Sequence, residues 1–122
     1  MELVMTINFV ERNDEVRRLM GELGEEIPAV MEGFGRLHHA AGADGALDVR
    51  TKELIALAIA ITVRCEGCIA YHVCEAMKAG ATRAEIMDTI GMSIVMGGGP
   101  SVVYGSEAYE AMNQFEMERV AA

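Results

Sequence analysis

Apolar residues recur along this chain at three- and four-residue spacing almost without a break, and that period is helical. From Phe9 to Ile27, the residues Val10, Val16, Leu19, Met20 and Leu23 trace one stripe of a first helix. Glu26-Ile27-Pro28 interrupts it, and Pro28 suits the first turn of a second helix, where a missing N–H removes no bond. That helix, Ala29 to about Ala41, carries Val30, Met31, Phe34 and Leu37. Gly42 to Leu47 is a loop of small residues, and Asp48 then reads as the N-cap of a third helix running to about Arg64. Past Glu53 this helix is apolar nearly all round, which predicts burial on most sides. Leu54 to Val63 would also fit a buried strand, but Ala56, Ala58 and Ala60 and the length beyond the run favour a helix.

The fourth helix is expected from Cys65 or Glu66 to Gly80, a residue suited to the left-handed position that ends helices. Thr82-Arg83-Ala84-Glu85 has the form of a capping box and opens the fifth. Its expected buried face is Ile86, Met87, Ile90, Ile94 and Val95. Gly97-Gly98-Gly99 closes that helix in a tight turn, and Pro100 opens a last one toward Met117. No linker, repeat or low-complexity tract divides the 122 residues. The reading is an all-α single domain, residues 1–122, of about six helices. The N-terminal helices lie at about 9–42 and the core at about 47–111.

Composition adds a subunit question to this picture. Hydrophobic residues make up 52% of the chain and aromatics only 5%, so Ala, Met, Ile, Val and Leu carry the apolar surface. Such side chains suit helix-on-helix packing. That much apolar surface on a small chain predicts burial between subunits, hence a homo-oligomer. A net charge of −9 argues against nucleic acid and against an anionic membrane surface. Met1 to Asn8 lacks the basic region of a secretory signal, and the longest apolar run is about half of a membrane span. The expected location is cytoplasmic, where a C-x-x-C pair is catalytic or metal-binding rather than a disulfide scaffold.

The chemistry concentrates in Cys65-Glu66-Gly67-Cys68-Ile69-Ala70-Tyr71-His72, with Glu53 twelve residues before Cys65. If the fourth helix starts at Cys65, both thiols lie in its first turn, where unpaired N–H groups favour thiolate. Residues three apart on a helix are about 5–6 Å apart at Cβ, so a small adjustment allows a disulfide. Gly67 eases that adjustment. Cys68 and His72 are four apart and share one face, so the imidazole can take the Cys68 proton directly or through a water. Glu53 either serves the dipole of its own helix or is buried with a partner, for which His72 is the obvious candidate. Proximity to the helix end alone would make Cys65 the more acidic thiol.

These residues resemble the E…C-x-x-C-x-x-x-H motif of the carboxymuconolactone decarboxylase superfamily, in its alkylhydroperoxidase AhpD-like branch. Thr51 to Ala58, Lys78 to Thr82 and Met96 to Ser101 resemble further segments of that family, so the likeness spans roughly Leu47 to Ala111. The resemblance implies an all-helical fold assembled in rings, commonly trimers or hexamers. It implies a thiol-dependent peroxidase or disulfide reductase with no prosthetic group, reduced by an external thiol such as a lipoyl group or a thioredoxin-like protein. On that template Cys68 attacks, His72 is its base, Glu53 relays the proton and Cys65 resolves. The reach of His72 and the template together favour Cys68 over Cys65 as the attacking group. The AhpD motif often has a second His between the cysteines, where this chain has Gly67.

Two other readings remain. The decarboxylase branch of the superfamily acts on a carboxylated lactone and does not rely on a C-x-x-C pair. Alternatively, Cys65, Cys68 and His72 hold zinc, with a fourth ligand from a neighbouring subunit. Cys74 falls on another face of the helix and reads as a small buried hydrophobe or a bystander thiol. Tyr71 either lines the pocket or packs. His38-His39 reads as a surface or packing pair. Gly97 to Gly99 is not a phosphate loop, because no strand precedes it and no Lys-Ser or Lys-Thr follows.

Overall fold

The computed structural model describes residues 7–121, and the first six of the residues read above for a targeting signal lie outside that range. Among the described residues there are six α-helices and no strand: α1 Phe9–Glu26, α2 Pro28–Gly42, α3 Val49–Thr62, α4 Glu66–Lys78, α5 Arg83–Gly97 and α6 Gly99–Ala121. The all-α expectation holds. The last helix runs four residues past Met117, the end that the sequence pattern suggested.

Local chemistry sets the boundaries. Asn8, Asp48 and Thr82 each cap a helix by accepting from the backbone N–H three residues on, and Thr82 and Glu85 complete the capping box. Gly98 sits at φ 69°, a conformation that favours glycine, and turns α5 sharply into α6. A Cβ on Gly97 would run into Ser101 Oγ, and one on Gly105 would lie 2.9 Å from Ile90 Cγ2. The two helices therefore approach closely because these positions carry no side chain.

The core gathers around α4, whose Ile69, Ala70, Val73 and Ala76 are fully buried. They meet Leu57 and Ile61 of α3, Ile86 of α5, and Ala108, Ala111 and Met112 of α6. The N-terminal pair lies differently. Only Phe9 and Asn13 of α1 are buried, and no residue of α2 is. The α1 stripe read from the sequence does not sink into the core, since Leu19 and Leu23 stay exposed. α3 likewise leaves Ile55 and Ile59 exposed on one side, against the expectation of burial on most sides. On α5, Ile86 and Ile90 are buried while Met87 and Val95 are not. The physical reason is geometric: these helices present more apolar faces than one chain of this size can cover.

Polar contacts of four side chains, Gln114, Arg12, Arg17 and Lys52, hold α1 and α2 over the core. Gln114 of α6 accepts from Phe9 N at 2.7 Å and donates to Ile7 O at 2.7 Å. Arg12 reaches Glu66 at 3.4 Å and Arg17 reaches Glu75 at 3.1 Å, so α1 lies along α4 between two ion pairs. Lys52 Nζ donates to the carbonyls of Ala41 and Ala43 at 2.8 and 2.6 Å, fixing the C-terminal end of α2 to α3. No described helix is long and apolar enough to cross a membrane.

Candidate functional site

The cysteine pair sits where two helix ends meet. After α3, Arg64 adopts φ 61°, its N–H donates to Ile61 O at 3.2 Å, and Cys65 N–H donates to Ala60 O at 3.0 Å. These are the paired bonds of a left-handed helix C-terminus. The same two bonds close α4, from Gly80 to Met77 O and from Ala81 to Ala76 O, with glycine in the left-handed place. Cys65 thus ends one helix through its backbone. It begins the next through its side chain, for Cys65 is the N-cap of α4 and its Sγ accepts from Cys68 N at 3.3 Å.

Cys65 and Cys68 are joined as a disulfide, with Cα atoms 5.2 Å apart. The pair the spacing allowed is therefore formed. Cys65 is the N-cap and Cys68 lies in the first turn of α4, a place whose orphan N–H groups favour a thiolate over a thiol.

His72 Nδ1 lies 2.7 Å from Glu53 Oε2, and both side chains are largely buried, at 19% and 15% exposure. An ionised carboxylate accepts only, so Nδ1 carries the hydrogen, and in the neutral ring Nε2 is the acceptor. The carboxylate thereby selects the tautomer that can accept a proton. Glu53, on α3, is a partner for His72 rather than a group serving its own helix end.

Cys68 and His72 line a cavity of about 280 Å³ beneath α1 and α2. Gly67 and Tyr71 line it from α4, Val16 and Met20 from α1, and Met31, Phe34 and His38 from α2. Its wall is mostly apolar, and besides Cys68 the polar residues lining it are His38, Tyr71 and His72. Cys65 is not part of this wall. Glu53 lines a second cavity of about 450 Å³ on the far side of His72, with Lys52, Leu37 and Ala56. Phe34, His38 and His72 belong to both and form the partition between them. A larger and more open depression, about 710 Å³ between the start of α1 and α6, holds neither motif cysteine.

Tyr71 is fixed on two sides. The Arg17 guanidinium lies over its ring at 4.6 Å from the centroid, and the ring meets His72 edge-on at 5.0 Å. Burial pushes the phenol up, and the nearby Glu75 and Glu53 charges push the same way against Arg17. Cys74 is a free, half-buried thiol packed against the core, as its position on another helix face predicted, and burial pushes its pKa up.

The sequence reading missed His38, which was set aside as a surface or packing residue. It is exposed, but its ring meets Tyr71 edge-on at 6.1 Å and lines both cavities. The available signal was weak. Phe34 and His38 are four apart, so they share a face, but nothing in that spacing tells which element the face meets.

A sequence model of the carboxymuconolactone decarboxylase family matches residues 28–111. An uncharacterized protein of Cupriavidus necator is 38% identical over 112 residues, covering 89% of this chain and 99% of that protein. Among solved structures, a carboxymuconolactone decarboxylase family protein from Legionella pneumophila superposes with a TM-score of 0.85 at 44% identity. That match covers 88% of this chain and 96% of the other. A family protein from Thermotoga maritima, for which an antioxidative role has been suggested, gives a TM-score of 0.81 at 30% identity. Here 90% of this chain and 95% of that one are covered.

Proposed function

The chain belongs to the carboxymuconolactone decarboxylase family, and from that premise we propose that it is a thiol-dependent oxidoreductase of the AhpD-like type. The observation that carries this reading is the Cys65–Cys68 disulfide whose Cys68 shares a cavity wall with a carboxylate-oriented imidazole. His72 Nε2 takes the Cys68 proton, and Glu53 holds the resulting imidazolium and passes its proton toward the second cavity. The thiolate attacks the terminal oxygen of a hydroperoxide; an S–O bond forms, the O–O bond breaks, sulfur is oxidised to a sulfenic acid, and the alkoxide takes a proton and leaves as the alcohol. Cys65 then attacks that sulfur, water leaves and the disulfide closes. An external dithiol, of the lipoyl or thioredoxin-like class, restores the two thiols by exchange. Disulfide reduction uses the same parts without the peroxide step.

The mostly apolar cavity supports an organic hydroperoxide or a small apolar disulfide as substrate. The exposed Val30, Leu37, Val95 and Met96, each more than 60% accessible, support a homo-oligomer, in which they are covered. A cytoplasmic location, where an external thiol reductant is at hand, belongs to this reading.

The test is intact mass and peptide mapping of the reduced protein before and after one equivalent of cumene hydroperoxide. Rapid closure of Cys65–Cys68, with Cys74 still alkylatable, is the expected result. Cys68→Ser should abolish peroxide consumption. Thiols that stay reduced, or zinc found by metal analysis of untagged protein, would overturn the reading in favour of a metal-binding or structural motif.

A further inference from the structure

Reduction of a hydroperoxide needs a proton at two places. The attacking thiol must lose one, and the oxygen that leaves must gain one. His72 serves the first from the thiol's own helix, one turn beyond Cys68, and its Nδ1 is committed to Glu53. In such a displacement the leaving oxygen departs opposite the attacking sulfur, and the wall facing α4 across the cavity is built by α1 and α2. That wall contributes Val16, Met20, Met31, Phe34 and Gly35, none of which can give up a proton, and it contributes His38.

His38 differs from His72 in its partners. Among the described residues neither of its ring nitrogens has a hydrogen-bond or ion-pair partner. Its ring is held instead by aromatic contacts, to Phe34 at 6.3 Å and to Tyr71 at 6.1 Å. It is therefore positioned without its donor capacity being used. It also lines the second cavity, through which it can regain a proton from solvent. Tyr71 is the other donor on the wall, but burial and carboxylates oppose loss of its proton.

We infer that His38 is a second catalytic imidazole, which hands its proton to the oxygen that leaves when Cys68 attacks a hydroperoxide. The inference rests on the peroxidase reading above. The Cys68 sulfur bonds the terminal oxygen as the O–O bond breaks. Its two electrons reduce that bond, and the alkoxide takes the ring proton of the His38 imidazolium. The products are the sulfenic acid and an alcohol. His38 is reprotonated from solvent, while His72 releases the thiol proton through Glu53.

Leaving-group dependence tests this directly. A peracid expels a carboxylate, which needs no proton, whereas an alkyl hydroperoxide expels a strongly basic alkoxide. Reduced wild type, His38→Gln and His38→Phe are each mixed with cumene hydroperoxide and with peracetic acid, and loss of the Cys68 thiol is followed in single turnover. General acid catalysis contributes about 100-fold or more, so the variants should lose about that factor with cumene hydroperoxide. They should keep nearly the wild-type rate with peracetic acid and with an aromatic disulfide reagent. Added imidazole should restore part of the lost rate in His38→Ala. Equal losses with both oxidants, or no loss with either, would overturn the role of His38 alone. A wild-type protein inert to both oxidants would overturn the peroxidase reading beneath it.

Discussion

Glu53 Oε2 accepts from His72 Nδ1 at 2.7 Å, linking the start of α3 to the middle of α4 across 19 residues of sequence. The pair is mostly withdrawn from water, so the carboxylate holds the ring in one orientation. Glu53→Gln keeps the shape and removes the charge. Loss of an orienting carboxylate of this kind is expected to lower peroxide-driven oxidation of Cys68 by about 10–100-fold. Stopped-flow oxidation of the reduced variant measures it. Unchanged rates would mean that Glu53 is structural.

The candidate centre was legible in the sequence because its geometry is local. Cys65, Cys68 and His72 are related by one helix and its cap, so spacing places them without knowledge of the rest. Glu53 needed one further inference, that a carboxylate in an apolar helix seeks a partner. The cavity was not legible. Val16, Met20, Phe34 and His38 meet the motif only through packing of α1 and α2 on α4, and periodicity does not specify which face meets which. The same limit explains why Leu19 and Val95, apolar and in phase, lie outside the core of a single chain.

Arg64 occupies at φ 61° the left-handed place that Gly80 occupies at the other end of α4. A residue with a Cβ pays about 1–2 kcal/mol there, offset by the greater freedom of glycine in the unfolded chain, about 0.5–1 kcal/mol. Arg64→Gly should therefore raise stability by up to about 1 kcal/mol. Gly80→Ala should lower it by a similar amount, about 1 kcal/mol. Urea denaturation of both variants reads the pair of opposite signs, and a destabilised Arg64→Gly would contradict it.

Burial raises the Cys74 pKa, and Glu75 adds to the shift while Lys78 and Arg17 oppose it. A raised pKa leaves less thiolate at neutral pH, and the thiolate is the reactive form. In the oxidised protein Cys74 is the free cysteine. Its alkylation by iodoacetamide should therefore rise with pH through a midpoint above that of an ordinary thiol, about 8.5. A midpoint at or below that of free cysteine would show that the thiol is not desolvated. Alkylation in denaturant provides the reference curve.

Gly67 stands where the AhpD motif often has histidine, and its surroundings account for the difference. A Cβ built there would lie 3.2 Å from Val16 Cγ2 and 4.0 Å from Arg12 Nη2, both on α1. A side chain at this position is tighter than an ordinary contact, so Val16, which lines the same cavity as Cys68 and His72, must give by a few tenths of an ångström. Gly67→His should cost about 1–3 kcal/mol, the usual range for overpacking. Val16→Ala removes the atom in the way, so the double variant should recover part of that loss. A double-mutant cycle by thermal denaturation measures the coupling, expected at about 0.5–3 kcal/mol for residues in contact. Additive effects would mean that Gly67 is not held small by α1, and the close approach of the N-terminal helices to the motif would then have to relax freely in solution.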